Sequence, residues 1–278
     1  MMILAPLRGV TIRAFREAFA LPIKEAGFTE AFTPFIPAIP GLDPLKDREL
    51  AQGASSDLKV TPQFIGKDPT SLRECLKKIK DAGYDTADLN CGCPFPMVRN
   101  KGRGSGILRT PDVLRKMMEV GCDEMGDEKF SIKTRLGVER TDELEKLIPL
   151  INEFPLRFLT VHSRTAKQMY EGECHHEALN RIKAICRVPL LENGDLDYRR
   201  GEGMVGRSFI RALGERHDIE ELLKKYIEIS EAELYGDRPV LGRLKELLAY
   251  FKDSPTWSRR WQVIKLCRSV EELYAGIT

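Results

Sequence analysis

The sequence predicts a TIM (β/α)8 barrel followed by a small C-terminal helical domain. Two observations support this prediction. Eight short apolar segments alternate with amphipathic helical patterns up to Leu213, and after that residue the strand patterns stop. An open doubly wound sheet has a similar alternation, but no Gly-x-Gly-x-x-Gly follows the first strand to support it. We therefore expect a barrel over residues 1–213 and a helical domain over residues 214–278.

The individual elements follow from hydrophobic periodicity and from the turn residues between the segments. Strands are predicted at residues 3–5, 30–33, 60–64, 86–90, 130–134, 158–161, 190–192 and 203–205. Barrel helices are predicted at residues 71–82, 111–120, 142–153 and 177–185, with prolines at 69 and 111 suiting a first helical turn. Three further helices are predicted in the tail, at residues 218–232, 240–251 and 257–270.

Composition limits the class of protein. Hydrophobic residues make up 42% and charged residues 31% of the 278 positions, as in ordinary globular proteins. No apolar run is long enough to span a membrane, and no secretory signal is recognisable. Seven cysteines without a Cys-x-x-Cys pair, and no histidines at ligand spacing, support neither a disulfide framework nor a metal site. We therefore expect a cytoplasmic monomer with reduced thiols, whose net charge of +2 says little about its partners.

The most informative segment follows the fourth predicted strand. Residues 88–94 are Asp-Leu-Asn-Cys-Gly-Cys-Pro, and a basic, glycine-rich run follows at residues 99–106. A cysteine between glycine and proline, just past a buried strand, is expected on a sharply turned loop that presents its thiol to a substrate. This interpretation applies to Cys93, whereas Cys91 is expected to be a small buried hydrophobe. The basic run predicts an anionic partner at the same place, although a solvated loop face is the usual role of such runs.

Other polar residues also collect at the carboxyl ends of the predicted strands, where barrel enzymes build their sites. In strand order they are Pro6 to Gly9, Gln63, Asn90 with Cys93, Lys133 with Arg135, His162 with Arg164, Asn193-Gly194-Asp195, and Gly206-Arg207. The loops after the last two strands are common phosphate-binding positions in barrels. This convergence indicates a binding site more strongly than any single residue does.

Several of these motifs together resemble the tRNA-dihydrouridine synthases. They are residues 4–11, the cysteine loop, Lys-Thr-Arg-Leu-Gly at 133–137, the string His-x-Arg-Thr-x-x-Gln-x-Tyr-x-Gly from His162, Asn193-Gly194-Asp195, and residues 204–207. The resemblance implies an FMN-containing barrel with a helical carboxyl-terminal domain. It also implies the activity, which is reduction of specific uridines in tRNA to 5,6-dihydrouridine with electrons from NADPH.

The chemistry of that reaction suits the residues present. A hydride added to C6 of uracil leaves enolate character at C5, and a thiol with a pKa of about 8.5 is protonated at neutral pH and able to donate there. Cys93 is the candidate acid. The resemblance places Lys133 as a cation at the flavin pyrimidine edge and Gln63 as a hydrogen-bonding partner of the same ring. From spacing alone, Gln63 is equally well explained as a barrel-interior residue.

The resemblance also assigns further contacts. Cofactor contacts are expected from Pro6, Leu7, Arg8, His162, Asn193, Gly194, Asp195, Gly206 and Arg207, and substrate contacts from Asn90, Arg99, Lys101, Arg103 and Arg164. From spacing alone, a core histidine is the commoner explanation of His162. In the tail, basic residues interleaved with Trp257 and Trp261 indicate RNA contact only weakly, because acidic residues balance them.

One departure from the family and two alternative functions remain. Only residues 196–203 separate the last two strand motifs, whereas parallel neighbours need a longer crossover. Either the barrel is irregular here or residues of the natural protein are absent. The segment 208–211 also lacks the family's small residues, so both departures concern the phosphate loops. The alternatives are a dihydroorotate dehydrogenase-like FMN barrel acting on a free pyrimidine, and a non-catalytic RNA-binding relative.

Overall fold

The structure is a computed structural model that describes residues 1–50 and 58–277. These residues form ten strands: β1 (Met2–Leu4), β2 (Glu30–Phe32), β3 (Ile36–Pro37), β4 (Lys59–Thr61), β5 (Gln63–Ile65), β6 (Ala87–Cys91), β7 (Phe130–Gly137), β8 (Leu159–Thr165), β9 (Leu190–Asn193) and β10 (Gly203–Val205). They also form twelve α-helices: α1 (Arg13–Ala18), α2 (Ala20–Glu25), α3 (Pro69–Asp81), α4 (Pro96–Arg99), α5 (Pro111–Met125), α6 (Ile148–Ile151), α7 (His176–Ile185), α8 (Arg207–Leu213), α9 (Ile219–Glu233), α10 (Asp237–Leu248), α11 (Trp257–Ile264) and α12 (Val270–Ile277).

The chain divides into two compact units. Of the described residues, 1–34, 58–60 and 197–277 belong to the first unit, and 35–50 and 61–196 to the second. The expected boundary between a barrel domain and a helical domain at residue 213 stays a prediction.

The sheet of the second unit is parallel throughout. Its strands lie in the order β3-β5-β6-β7-β8-β9, and every neighbouring pair is parallel. All residues of β6 are buried, as expected for a parallel strand covered on both faces. Because the strands are parallel, their carboxyl ends lie at one edge of the sheet, and the loops that follow them are neighbours there.

Helix α3 illustrates how local sequence sets an element of this unit. The carboxylate of Asp68 accepts the backbone N–H of Ser71 at 3.0 Å and caps the helix. Pro69 occupies the first turn, where no intrahelical N–H partner is needed. Apolar residues from Leu72 to Ile79 recur at helical spacing and are buried in the core of this unit.

Before the tail, one predicted strand is divided in two and one predicted helix is much shortened. The strand predicted at residues 60–64 is two strands, β4 and β5, because Pro62 lies between them and cannot donate a ladder hydrogen bond. The helix predicted at residues 142–153 is reduced to a short 3-10 turn followed by α6. Its first residues are held as a loop because the carboxylate of Glu143 accepts the backbone N–H groups of residues 138–140.

The first unit contains parallel strands in the order β10-β1-β2, with β4 beyond β2. Helix α1 packs against α9 through aromatic rings. The rings of Phe15 and Phe19 stack at 4.6 Å, and Tyr226 meets Phe19 edge-on at 6.0 Å. Sequence periodicity does not predict helices α1 and α2. Nevertheless, Phe15 in α1 and Phe19 directly after it supply two of the three rings in this core.

The tail is helical, as predicted, but its last predicted helix is two helices. The helix expected at residues 257–270 ends at Ile264, and α12 follows after a break. The ammonium of Lys245 donates to the carbonyls of Lys265 (3.1 Å) and Cys267 (2.6 Å), so the groups freed by the break are hydrogen-bonded. Helices α9 and α10 lie where they were expected.

The connection between β9 and β10 is short. Residues 194–202, all described, contain a 3-10 turn at Tyr198–Arg200 and no α-helix. The side chain of Asp197 accepts the N–H of Arg199, and Gly201 takes a left-handed φ of 71° that ends the turn. None of the helices in the described part of the chain is long and apolar enough to span a membrane.

Candidate active site

Cys93 lies on a loop whose backbone is fixed from two sides. The Oδ1 of Asn90 accepts the N–H groups of Gly92 (3.1 Å) and Cys93 (2.8 Å). The carbonyl of Cys93 accepts the N–H and the hydroxyl of Ser105, at 3.1 and 2.9 Å. Gly104 lies directly against the cysteine, since a Cβ there would approach the Cys93 Cβ to 2.8 Å. The loop therefore holds Cys93, which is only 7% exposed, in one backbone conformation.

Cys91 has a different environment, as the sequence predicts. It is fully buried in the hydrophobic core of the second unit. Burial, and next the charge of Asp88, raise the pKa of the Cys91 thiol well above its ordinary value. An inert core thiol and a loop-held thiol thus lie two residues apart.

A chain of buried hydrogen bonds connects Asp88 to the cysteine loop. Its carboxylate accepts the hydroxyl of Ser131 (2.6 Å) and the Nε2 amide of Gln63 (2.7 Å). The Oε1 of Gln63 in turn accepts the Nδ2 amide of Asn90 at 2.7 Å. A carboxylate only accepts hydrogen bonds, so Asp88 fixes the orientation of the Gln63 amide, and Gln63 fixes that of Asn90. The Oδ1 of Asn90 is thereby directed at the N–H of Cys93.

Asp88 is not among the site residues that the sequence motifs predict. The available signal is a carboxylate inside a buried strand, because a buried charge needs hydrogen-bonding partners. Its partners follow only from strand register, in which Gln63 and Ser131 lie directly beside Asp88 on β5 and β7. We refer to Ser131, Asp88, Gln63 and Asn90 as the Asp88 relay.

Lys133 lies beside Asn90 in register and reaches β9. Its ammonium donates to the Oδ1 of Asn193 at 2.9 Å, so two predicted cofactor residues are in contact. Burial, and next the charge of Arg135, lower the pKa of Lys133 from 10.5 to about 8. Asp88 and Cys93 act in the opposite direction. A partly buried lysine with so few balancing charges fits a site that receives an electron-rich partner.

Arg135 connects the cysteine loop to the loop after β8. Its Nε donates to the carbonyl of Gly92 (2.9 Å), and its Nη1 donates to the carbonyls of Thr165 (3.0 Å) and Met169 (2.6 Å). The guanidinium also lies over the ring of Tyr170, 5.1 Å from its centroid. Burial lowers the pKa of Arg135 to about 10. The strand-end position of Arg135 is visible in the sequence, but these carbonyl partners are not.

His162 and Arg164 are joined at the end of β8. Arg164 donates to the carbonyl of Gly172 through Nε (3.1 Å) and Nη2 (2.7 Å), and through Nη1 to the Nε2 of His162 (3.3 Å). Because a guanidinium only donates, the histidine Nε2 is the acceptor. Arg164 also pairs with Asp195, which raises the pKa of Arg164. The structure brings these three predicted site residues together, and a substrate contact of Arg164 stays a prediction.

The basic run contains side chains without partners. In the described part of the chain, Arg99, Lys101 and Arg103 form neither an ion pair nor a side-chain hydrogen bond, and the Nε atoms of both arginines are buried without an acceptor. Arg109, in contrast, pairs with Glu139 at 2.8 Å. The predicted RNA contacts are thus the cations of this loop whose charges no described carboxylate balances.

The remaining predicted cofactor residues lie in the first unit. The loop Pro6-Leu7-Arg8 is closed by Thr11, whose hydroxyl accepts the N–H of Leu7 (2.7 Å) and donates to the carbonyl of Ala5 (2.8 Å). Gly206 packs on this loop, because a Cβ there would lie 3.1 Å from the Cδ1 of Leu7. The cofactor role of these residues and of Arg207 stays a prediction.

Trp257 and Arg260 make their contacts within the tail. Trp257 is buried, and its Nε1 donates to the carbonyl of Gly214 at 2.7 Å. Arg260 pairs with Glu220 (2.9 Å) and lies over the Trp257 ring. Trp257 is therefore a core residue of the tail and is not available to stack on RNA.

Comparison with known families decides the identity of the chain. The profile of the dihydrouridine synthase family (Dus) matches residues 3–203, which is most of the sequence. The chain belongs to the dihydrouridine synthase family. The resemblance noted in the sequence is confirmed.

Named relatives agree with this assignment. A probable tRNA-dihydrouridine synthase of Helicobacter pylori strain J99 is 26% identical, and the alignment covers 90% of this chain and 83% of the relative. A tRNA-dihydrouridine(16) synthase of Pseudomonas putida is 27% identical, with 88% of this chain and 86% of the relative covered. The tRNA-dihydrouridine synthase B of Vibrio cholerae is 30% identical, but the match spans only 60% of that protein and 70% of this chain.

Solved structures of other proteins establish the fold of this chain. An old yellow enzyme homologue from Zymomonas mobilis aligns with a TM-score of 0.56 at 12% identity, over 76% of this chain and 85% of that protein. Morphinone reductase aligns with a TM-score of 0.54 at 11% identity, over 76% and 82%. Together with the parallel strands and the helical tail, this likeness confirms the predicted TIM barrel followed by helices.

Proposed function

We propose that this chain reduces uridines in tRNA to 5,6-dihydrouridine, with FMN as cofactor, NADPH as electron donor and Cys93 as proton donor. We also propose that it works as a cytoplasmic monomer, as its cysteine usage and family suggest. The observation that carries the proposal is the cysteine loop. A cysteine fixed by Asn90 and Ser105 stands between the partly buried Lys133 and a run of unbalanced cations.

The residues present fit an FMN. Lys133 offers a partly buried cation, and Gln63 and Asn193 offer amides that both donate and accept, as a planar heterocycle requires. Gly194 takes a φ of 107°, and a Cβ there would lie 2.9 Å from His162 Cδ2, so the backbone approaches this edge closely. The residues proposed to hold the cofactor are Gln63, Lys133, His162, Asn193, Gly194 and Asp195, with Pro6, Leu7, Arg8, Gly206 and Arg207 added by the family resemblance.

Bound FMN would supply the hydride that reduces the C5=C6 bond of uracil. The protein's own part is to deliver a proton to C5 from the Sγ of Cys93 while the loop keeps that sulfur in place. The Asp88 relay supports this step, because it directs the Asn90 carbonyl oxygen at the N–H groups that define the loop. Lys133 stabilises negative charge that develops in the site.

Substrate binding is proposed for the same face of the second unit. Arg99, Lys101 and Arg103 would contact tRNA phosphates, and Asn90 and Arg164 would contact the uridine. A base stacked inside a helix cannot reach a barrel mouth, so the uridine has to be unpaired or extruded. The requirement for a polyanionic substrate follows from the three unbalanced cations and distinguishes this proposal from reduction of a free pyrimidine.

The test uses tRNA transcribed in vitro, which contains no dihydrouridine. Purified protein with FMN and NADPH is incubated with this tRNA, and dihydrouridine is measured by mass spectrometry of nucleosides. We expect product from tRNA, none from free uracil or orotate, and loss of product in Cys93→Ala but not in Cys91→Ala. Reduction of the free pyrimidine alone would favour the dehydrogenase-like function. Binding of tRNA by a protein that takes up no flavin would favour a non-catalytic relative.

A further inference from the structure

Two large apolar side chains stand on the surface immediately after the cysteine. Phe95 is 41% and Met97 is 75% exposed, and both lie at the start of the short helix α4. Most apolar residues of the second unit are buried in its core. An isolated exposed apolar residue is common, but two of them within three positions, two residues beyond the candidate acid, form a small patch.

All charged residues in the segment of sequence around this patch are basic. Residues 89–111 contain four arginines or lysines and no aspartate or glutamate. Three of those four cations have no partner among the described residues, and a further lysine, Lys67, lies against Gly102 of the same run. The patch therefore belongs to a segment whose positive charge a polyanion would neutralise.

We propose that Phe95 and Met97 pack against a nucleobase of tRNA that neighbours the target uridine, while the cations around them contact phosphates. This inference rests on the proposed function and adds the part of the substrate that the patch contacts. Bases are the flat apolar surfaces of an otherwise anionic molecule, and RNA-binding surfaces pair aromatic or apolar side chains with cations for this reason. Extruding a uridine exposes the face of its neighbour, and Phe or Met inserted at such a step replaces the lost stacking.

A second copy of the chain fits the patch less well. Two side chains offer far less area than a stable protein interface buries, and two copies would bring like charges together around them. The charge complementarity therefore selects RNA as the occupant.

The experiment measures tRNA affinity against salt concentration for the holoenzyme. The variants are Phe95→Ala, Met97→Ala and the double variant, compared with Ile185→Ala as a matched control. Ile185 is 45% exposed but ends α7, and helices of parallel β/α units run opposite to the strands, so it lies at the other end of the sheet. A second comparison neutralises charge with Arg99→Gln and Lys101→Gln.

Loss of the apolar contacts and loss of the ionic contacts should have different effects on tRNA affinity and on its salt dependence. Loss of base packing should weaken binding about tenfold in the double variant at every salt concentration, with the slope of log K against log[salt] unchanged. Each neutralised cation should lower that slope by about one. Ile185→Ala should match the wild type in both quantities. Flavin content equal to the wild type would show that the variants are folded.

Several outcomes would overturn the inference. If the wild type binds tRNA and the double variant binds equally well, the patch makes no contact, although the proposed function stands. If the double variant changes the sedimentation of the protein and not its tRNA affinity, the patch joins two copies of the chain. If the wild type binds no tRNA and reduces only free pyrimidines, the proposed function fails together with the inference.

Discussion

The Asp88 relay predicts a specific and pH-dependent effect of one substitution. Gln63→Glu replaces the amide that donates to Asp88 with a carboxyl group at the same place, 2.7 Å from the Asp88 oxygen. Both side chains are fully buried. Two carboxylates at that distance repel by about 6 kcal/mol at an effective dielectric constant of about 20, so the introduced carboxyl group should instead keep its proton. In that protonated form it donates to Asp88 and accepts from Asn90, as the Gln63 amide does.

The substitution therefore lowers the free energy of unfolding by the free energy needed to keep that carboxyl group protonated in the folded protein. With an unfolded-state pKa of about 4.3 for glutamate, it amounts to about 3.7 kcal/mol at pH 7 and about 1 kcal/mol at pH 5. The sign follows from linkage. The folded-state pKa of the introduced carboxyl group is raised, so the variant approaches wild-type stability below about pH 4.3 and loses stability as the pH rises. Adding Asp88→Asn should remove this dependence, because the new amide can donate to an ionised carboxylate at position 63.

Urea unfolding of the flavin-free protein at pH 5, 6 and 7 measures these free energies for the wild type, both single variants and the double variant. The alkylation rate of Cys93, followed by mass spectrometry, reports whether the loop is still held. Because a lower free energy of unfolding raises the population of opened molecules, we expect faster alkylation in Gln63→Glu at pH 7 and restoration in the double variant. Additive losses in the double variant, or a pH-independent loss in Gln63→Glu, would refute the relay.

Three further predictions concern the loop and the lysine. Cys93→Ala should lose about 10²-fold or more in uridine reduction while NADPH still reduces the flavin, and Cys91→Ala should lose far less; equal losses in stopped-flow assays would contradict the assignment of the acid. The affinity of the flavin-free protein for FMN should fall as the pH rises through about 8, where Lys133 loses its charge, and Lys133→Met should bind weakly without that dependence in a fluorescence titration. Gly104→Ala should destabilise the protein by about 1–3 kcal/mol, because a Cβ there meets Cys93 and the φ is 56°, whereas Gly83→Ala is a control with a positive φ and open space.

The sequence predicts those features of the site that depend on one segment at a time. Turn residues around Cys93 predict its loop, and the apolar run before it predicts the burial of Cys91. The Asp88 relay depends on the register between three strands, and the sequence of a single strand does not determine that register. The contacts of Arg135 have the same origin, since its acceptors are backbone carbonyls in two other loops, which any residue types could provide.

Where a helix or strand differs from its prediction, the cause is either a single residue within it or a contact with a residue distant in the sequence. Pro62 divides the strand predicted at residues 60–64 into two strands, a proline effect that periodicity alone does not reveal. The break after Ile264 depends on Lys245, a residue of another helix, which binds the carbonyls that the break releases. The hydrophobic pattern of a segment predicts whether it forms a helix or a strand, whereas contacts with residues elsewhere in the chain determine where that element ends.

The close approach of Gly104 to Cys93 has a consequence for how substrate and acid communicate. The backbone of the basic run rests on the cysteine itself, and Ser105 bonds to its carbonyl, with no flexible side chain between them. Any displacement of the run would therefore be passed directly to the backbone of Cys93. Under the proposed function, a large substrate that binds the run thus contacts the segment that positions the proposed acid, whereas a small molecule that binds without touching the run makes no such contact.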